Sequence, residues 1–200
     1  MSLGDRFFSL LLYLAGVLCV AGLVHIVSIL MMPHVAAHDA YQRFATLAKP
    51  GKTTLLPQAQ PGHEIEPFAD PALAQAVCLY DLSDGPLHVH ADLPDNRLLT
   101  MSFRTRTGEV FYSMTDRASL HGTIDVTIMT QAELDAAQQD DEDNDDDEND
   151  QPLKELRLVA PDAKGFVLIN ALSAYPSERA EAEAEVKSVA CAPETIAQDN

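Results

Sequence analysis

Tryptophan is absent from the 200 residues, and all aromatic residues together make up 6%. A surface that binds sugars or unpaired bases by stacking needs more rings than that. Positive charge is also scarce. Lys and Arg number 13 against 31 Asp and Glu, for a formal charge of -18. No basic run exists to follow a phosphate backbone, so nucleic acid is not an expected partner. Glycine-rich phosphate loops, dinucleotide fingerprints and a G-x-S-x-G nucleophile elbow are missing too. No cofactor is expected. Cysteine occurs only as Cys19, Cys78 and Cys191, too few for a disulfide-dense scaffold or a four-thiolate zinc site.

Apolar residues are not scarce, and at 46% they support a folded core. Their longest run is Phe7 to Met32, FFSLLLYLAGVLCVAGLVHIVSILMM, which contains no formally charged side chain if His25 is neutral. As a helix it rises about 39 Å, enough to cross a hydrocarbon core of about 30 Å with tilt. A cleavable signal has an apolar region of roughly 7–15 residues after a basic start. Here the run is longer, and Arg6 is offset by Asp5. We read residues 7–32 as a retained anchor in the lipid bilayer, with the mature chain beginning near Met1. Cleavage at Val35-x-Ala37 is the alternative. A lipoprotein is excluded because Leu18 precedes Cys19 where a small residue is required. His25 lies near the end of the segment, where a neutral imidazole is tolerated. Arg43, Lys49 and Lys52 outnumber Arg6 and would hold the following domain in the cytoplasm, although long domains obey that bias poorly.

The chain divides into an anchor (1–32), a juxtamembrane helix and Pro-rich linker (33–71), a β-rich domain (72–192) and a tail (193–200). Pro33 marks the membrane exit. Ala37, Ala40, Tyr41, Phe44, Leu47 and Ala48 recur at helical spacing, so His34 to Leu47 reads as a helix docking on the domain or on lipid. Seven Pro and Gly residues between Lys49 and Pro71 argue against regular structure there, leaving a linker or an extended segment wrapped over the domain. Asp70 followed by Pro71 reads as the cap of a short helix through Ala76. Strands are expected at Val77–Leu82, Leu87–Ala91, Arg97–Phe103, Val110–Met114, Thr123–Thr130, Leu153–Val159 and Gly165–Leu172. Ser83-Asp84-Gly85-Pro86, Pro94-Asp95-Asn96 and Thr107-Gly108 supply the turns. Asp140 to Asp150, DDEDNDDDEND, holds nine acids and repels itself, so residues 138–152 read as a disordered loop. It lacks the central Gly of a calcium loop. A final helix from Ser177 to Ala190 would bury Ala182, Val186 and Val189 and leave Glu178, Glu181, Glu183 and Glu185 wet. The expected class is mainly β with flanking helices: an N-terminal transmembrane helix, an antiparallel β-sandwich or partly open barrel, and a C-terminal helix.

CLYDLSDGP (Cys78 to Pro86), FYSMTDR (Phe111 to Arg117) and LVHIVSILMMPHVAAHDAYQRF together resemble a bacterial family of single-pass, membrane-anchored envelope proteins. That family is catalogued as a domain of unknown function. The resemblance spans most of residues 20 to 191 apart from the acidic insert. It implies an exported β-rich domain on the periplasmic side of the inner membrane. It also implies a separate partner chain, because larger relatives fuse this kind of domain to a second one. It carries over no catalytic residues.

Two sets of side chains are candidate sites. In LHVHAD, His88, His90 and Asp92 share one face of a strand. Two imidazoles and one acid are too few to complete a metal shell, and His121 is the only later histidine, so no metal is expected there. Tyr80, Asp81, Asp116 and Arg117 lie in the family-like segments and are the candidate binding residues. Turn and ion-pair roles compete with a pocket role. The functional expectation is a membrane-anchored envelope binding or assembly module. The rival is a small-pocket enzyme using Tyr80, Asp81, Asp116 and Arg117. With Cys19 in the membrane, Cys78 and Cys191 are expected to pair as a disulfide in an oxidising compartment, with two buried thiols as the alternative.

Overall fold

The computed structural model describes residues 3–35, 39–60, 62, 65–66, 69–93, 98–119, 122–143 and 156–193. In chain order its elements are α1 (Leu3–Val35), α2 (Ala40–Ala45), β1 (Thr53–Leu55), β2 (Leu73–Asp81), β3 (Leu87–Asp92), β4 (Leu99–Thr105), β5 (Val110–Thr115), β6 (Thr123–Met129), α3 (Gln131–Asp143), β7 (Leu156–Val159), β8 (Lys164–Leu172), α4 (Arg179–Ser188) and β9 (Ala190–Pro193). Two compact units meet in sequence between Asp39 and Ala40.

The first unit is α1. Its Gly4–Met32 stretch has a mean hydropathy of 2.5 in its most apolar window, none of which is buried within the chain. By length and composition this helix can cross a membrane. Pro33 does not end it; the backbone stays helical to Val35. A proline in the last turn removes a single backbone hydrogen bond, which a helix end tolerates.

The second unit is a two-sheet sandwich, which decides between sandwich and open barrel. One sheet runs β1-β2-β8-β4-β5 and the other β7-β6-β3-β9. All pairings are antiparallel except β6 with β7, which is parallel. Alternating strands turn Leu87, Val89, Ala91, Ile124, Val126 and Ile128 of the second sheet inward. They meet Ala76, Cys78, Tyr80, Met101, Phe103 and Ile169 of the first. Strands β2 and β8 are buried on both faces, which explains their nearly continuous apolar sequence.

Their outer face is covered by the segment expected to be a helix and a linker. Helix α2 is only six residues long, and Phe44 packs on Phe166 with ring centroids 4.9 Å apart. Phe44, Ala48 and Leu56 form one buried cluster with Val77, Leu79, Phe166 and Leu168. Ala40, Tyr41, Phe44 and Ala48 of the apolar stripe therefore dock on the domain, whereas Leu47 stays exposed and Ala37 lies outside the described residues. Truncating Phe44 to Ala leaves a cavity there and is expected to reduce unfolding free energy by about 3 kcal/mol. Urea denaturation checks this; an unchanged midpoint would show that the cluster is not formed. The Pro-rich stretch also contains β1, contrary to its composition, because Thr53–Leu55 pairs with Cys78–Ala76 of β2.

Other expectations are corrected. Ala72 to Ala76 is not helical. Asp70 accepts a hydrogen bond from the Ala72 amide in a tight turn, and nine residues of β2 then pair with β8, overriding the helix preference of alanine. Residues 138–143 of the supposed disordered loop continue α3; residues 144–152 lie outside the described ones. Helix α3 starts with a reciprocal cap between Thr130 and Glu133, whose side chains bond each other's backbone amides. The C-terminal helix begins after a 3-10 turn at Pro176–Glu178 and stops at Ser188, because Ala190–Pro193 pairs with β3 as β9. Ala182, Val186 and Val189 are buried as expected, but Glu185 is buried with them. Residue 185 falls three positions after 182, within the same packed stripe. The strand also takes in Pro193, assigned above to the tail.

Candidate functional site

LHVHAD forms the whole of β3, a central strand between β6 and β9. His88, His90 and Asp92 point to the outer face, as their alternation requires. The register sets His90 opposite Asp125 of β6 and His88 opposite Thr127. Asp125 Oδ1 lies 2.6 Å from His90 Nδ1 and 3.5 Å from His88 Nε2. Asp92 Oδ1 lies 3.5 Å from His90 Nε2. The two imidazoles are near-parallel, with centroids 6.3 Å apart.

A carboxylate can only accept, so Nδ1 of His90 carries the proton it donates to Asp125. That hydrogen bond is the main reason the His90 pKa lies above its usual value; the charges of Asp125 and Asp92 add to it. This arrangement can hold a proton and a positive charge in mildly acidic conditions on an otherwise acidic protein. Among the described residues no group of three or more His, Cys, Asp or Glu stands where it could hold one metal ion. His121 lies outside the described residues.

A histidine whose folded pKa is raised stabilises the fold fully below its unfolded value of about 6.5. The contribution disappears as pH rises through the folded value. An NMR titration is therefore expected to place the His90 midpoint above 6.5 and to lower it in Asp125→Asn. A wild-type midpoint at or below 6.5 would contradict the hydrogen bond.

The second candidate set is not brought together. Tyr80 is fully buried and donates to the Arg104 carbonyl at 3.1 Å. Its pKa is raised by burial first and by Asp162 second, so the hydroxyl remains a donor. Asp81 pairs with Lys164 at 2.7 Å and also accepts from the Ser83 hydroxyl and amide. The Lys164 hydrogen bond is the leading cause of its lowered pKa. Both residues lie where β2 passes the start of β8. Asp116 and Arg117 form a 3-10 turn after β5, beyond the pairing of Thr115 with Thr100. Thr100 is five residues along β4 from Thr105, the neighbour of Gly165, or about 17 Å in a strand. The two pairs thus occupy opposite ends of the sheet and share no small ligand. The paired aspartate Asp125 was visible in the sequence only as one polar member of an alternating strand.

Cys78 on β2 and Cys191 on β9 form a disulfide that joins the two sheets, with Cα atoms 6.5 Å apart. Cys191 lies within β9 rather than at the end of the last helix.

No protein-family model matches the chain, and no curated protein does. The fold is similar to the crystal structure of the VPA0106 protein from Vibrio parahaemolyticus, with a TM-score of 0.51 and 9% identity over 78% of this chain. The chain spans 34% of the length of that protein. An uncharacterised protein from Burkholderia cenocepacia aligns with a TM-score of 0.40 and 14% identity, over 69% of this chain and 33% of its own. The likeness to VPA0106 is one of fold.

Proposed function

We propose that the chain is a membrane-anchored binding or assembly module whose sandwich domain stands in the bacterial envelope, on the periplasmic side of the inner membrane. The observation that carries this reading is the Cys78–Cys191 cross-link on a chain that also bears a membrane-length apolar helix. Structural disulfides persist in oxidising compartments and are rare in the bacterial cytosol. The resemblance of Cys78 to Pro86 and Phe111 to Arg117 to anchored envelope proteins supports the same placement. It also supports a separate chain carrying a companion domain as the partner.

The test uses native membranes alkylated without reductant, then denatured and exposed to a second alkylating label. Cys78 and Cys191 are expected to remain unlabelled until reduced. If both take the second label before any reduction, the outward orientation loses its support. Protease added outside spheroplasts should remove the domain, and a domain fully protected until lysis would place it in the cytoplasm.

A further inference from the structure

The disulfide that joins the two sheets ends in a weakly held strand. Strand β9 is the last element among the described residues and lies at the edge of the smaller sheet, paired only with β3. Four residues meet β3 in register: Ala190 with His90, Cys191 with Val89, Ala192 with His88 and Pro193 with Leu87. Pro193 has no amide to give. The backbone hydrogen bonds of so short a strand replace bonds to water and hold little by themselves. Side chains add little more. Ala190, Ala192 and Pro193 are exposed, so Cys191 is the one inward side chain of the strand. The other short edge strand, β1, differs, because Leu56 directly after it is buried with Val77, Leu79 and Phe166. Just before β9 the chain is fixed without sulfur. Val189 is buried, and its carbonyl accepts from the Thr53 hydroxyl at 2.6 Å. At the far end of the strand Pro193 rests against Gly51.

We infer that the Cys78–Cys191 cross-link is a redox latch: a dithiol reductant releases β9 from β3, with Val189 as the hinge, while the rest of the sandwich stays folded. This rests on the envelope placement above, which lets the bond form. The exchange starts at Cys191, which is 8% exposed at a sheet edge, whereas Cys78 is fully buried on β2. A thiolate of the reductant attacks Cys191 Sγ, and the bonding pair leaves on Cys78 Sγ, which takes a proton. The second thiolate of the reductant then displaces Cys191, which takes a proton in turn, and the reductant departs as a disulfide. Two electrons and two protons have passed to the protein. The bond tethers the only part of β9 that points into the core, so the reduced strand keeps its short ladder and one small thiol. Strand β3 lies between β6 and β9, so loss of β9 turns it into an edge, with His88 and His90 on its outer face. Such an edge presents unpaired backbone donors and acceptors.

The experiment follows amide hydrogen exchange in the purified full chain in mild detergent, before and after dithiothreitol. It uses a Cys19→Ser background, since Cys19 is an exposed free thiol. On reduction, the β9 amides bonded to β3 should exchange about a hundredfold faster, at a rate that low urea scarcely changes, which marks a local opening. Amides of β2 and β8 should stay protected and keep the steep urea dependence of global unfolding. Cys78→Ala with Cys191→Ala should show the same fast β9 exchange with or without dithiothreitol. If reduced β9 shares the urea dependence of β2, the strand opens only with the whole domain and the proposal is overturned. A cross-link that dithiothreitol reduces only in urea that unfolds the domain overturns it too, as does slow β9 exchange in the double variant. The reduced wild type carries the test even where the double variant does not fold. Exchange is read on purified protein, so failure of the latch leaves the membrane alkylation result standing. A domain found in the cytoplasm removes the localisation alone.

Discussion

Replacing Cys78 and Cys191 together with alanine is expected to lower the thermal midpoint by roughly 10–20 °C, the shift that 4–5 kcal/mol produces in a domain of this size. The cross-link spans 113 residues of sequence. For a closed loop that long the chain-entropy estimate approaches about 5 kcal/mol, a ceiling that assumes an unstrained bond. Both cysteines are buried, at 0% and 8% exposure, so a reduced pair would also leave two thiols in the inter-sheet core. Alanine removes the thiols but also two buried sulfur atoms, which adds a small cavity cost to the loss of the covalent bond. Scanning calorimetry of the double variant beside reduced wild type separates the two. If they melt together and both far below oxidised wild type, the cross-link carries the stability. A double variant that melts within a few degrees of oxidised wild type would show that the sheets hold together without it.

A larger loss is expected from a single methyl group. Gly165 lies between Tyr80 of β2 and Thr105 of β4 in the register. A Cβ at this position would run into the Tyr80 hydroxyl and ring and the Arg104 carbonyl. The missing side chain is what admits the buried tyrosine and lets its hydroxyl reach that carbonyl. Ordinary overpacking costs about 1–3 kcal/mol because neighbours adjust. Here one neighbour is backbone of a central sheet and the other a fully buried ring, so neither can yield easily. Gly165→Ala is expected to abolish cooperative unfolding or to lower the midpoint further than loss of the disulfide. Tyr80→Phe removes only the hydrogen bond and should cost about 1–2 kcal/mol. Shortening Tyr80 in the Gly165→Ala background should recover part of the loss, because the carbonyl conflict remains. A Gly165→Ala protein that melts like wild type would disprove this packing.

The middle strands were legible because their signal is local. Thr123 to Ile128 alternates residue by residue, and Leu87 to Asp92 does the same, so both the strands and their inward faces follow from period-two spacing. The seven expected strands all occur, with residue 97 and residues 153–155, expected in two of them, lying outside the described residues. The two missed strands, β1 and β9, are three and four residues long, the first in a Pro-rich stretch and the second ending in Pro193. Strands that short carry no period of their own; they exist because β2 and β3 offer free edges for pairing. Helix α3 had a readable signal in Thr130-Gln131-Ala132-Glu133, the spacing of a reciprocal cap. The acidic run that follows obscured it, since charge density argues for unfolded chain.

The sequence by itself determined the membrane-length helix, the β-rich class and the shared face of His88, His90 and Asp92, and it offered one pairing for Cys78 and Cys191. Each depends on residues close together in the chain or on simple counting. Only tertiary structure decided that Asp125 holds His90, that Phe44 covers β2 and β8, and that Tyr80 and Asp81 lie at the opposite end of the sheet from Asp116 and Arg117. These depend on cross-strand register and strand order. A shift of one residue in register reverses every face of a strand. Register is set by how all the inward side chains pack at once, so no short stretch of sequence contains it.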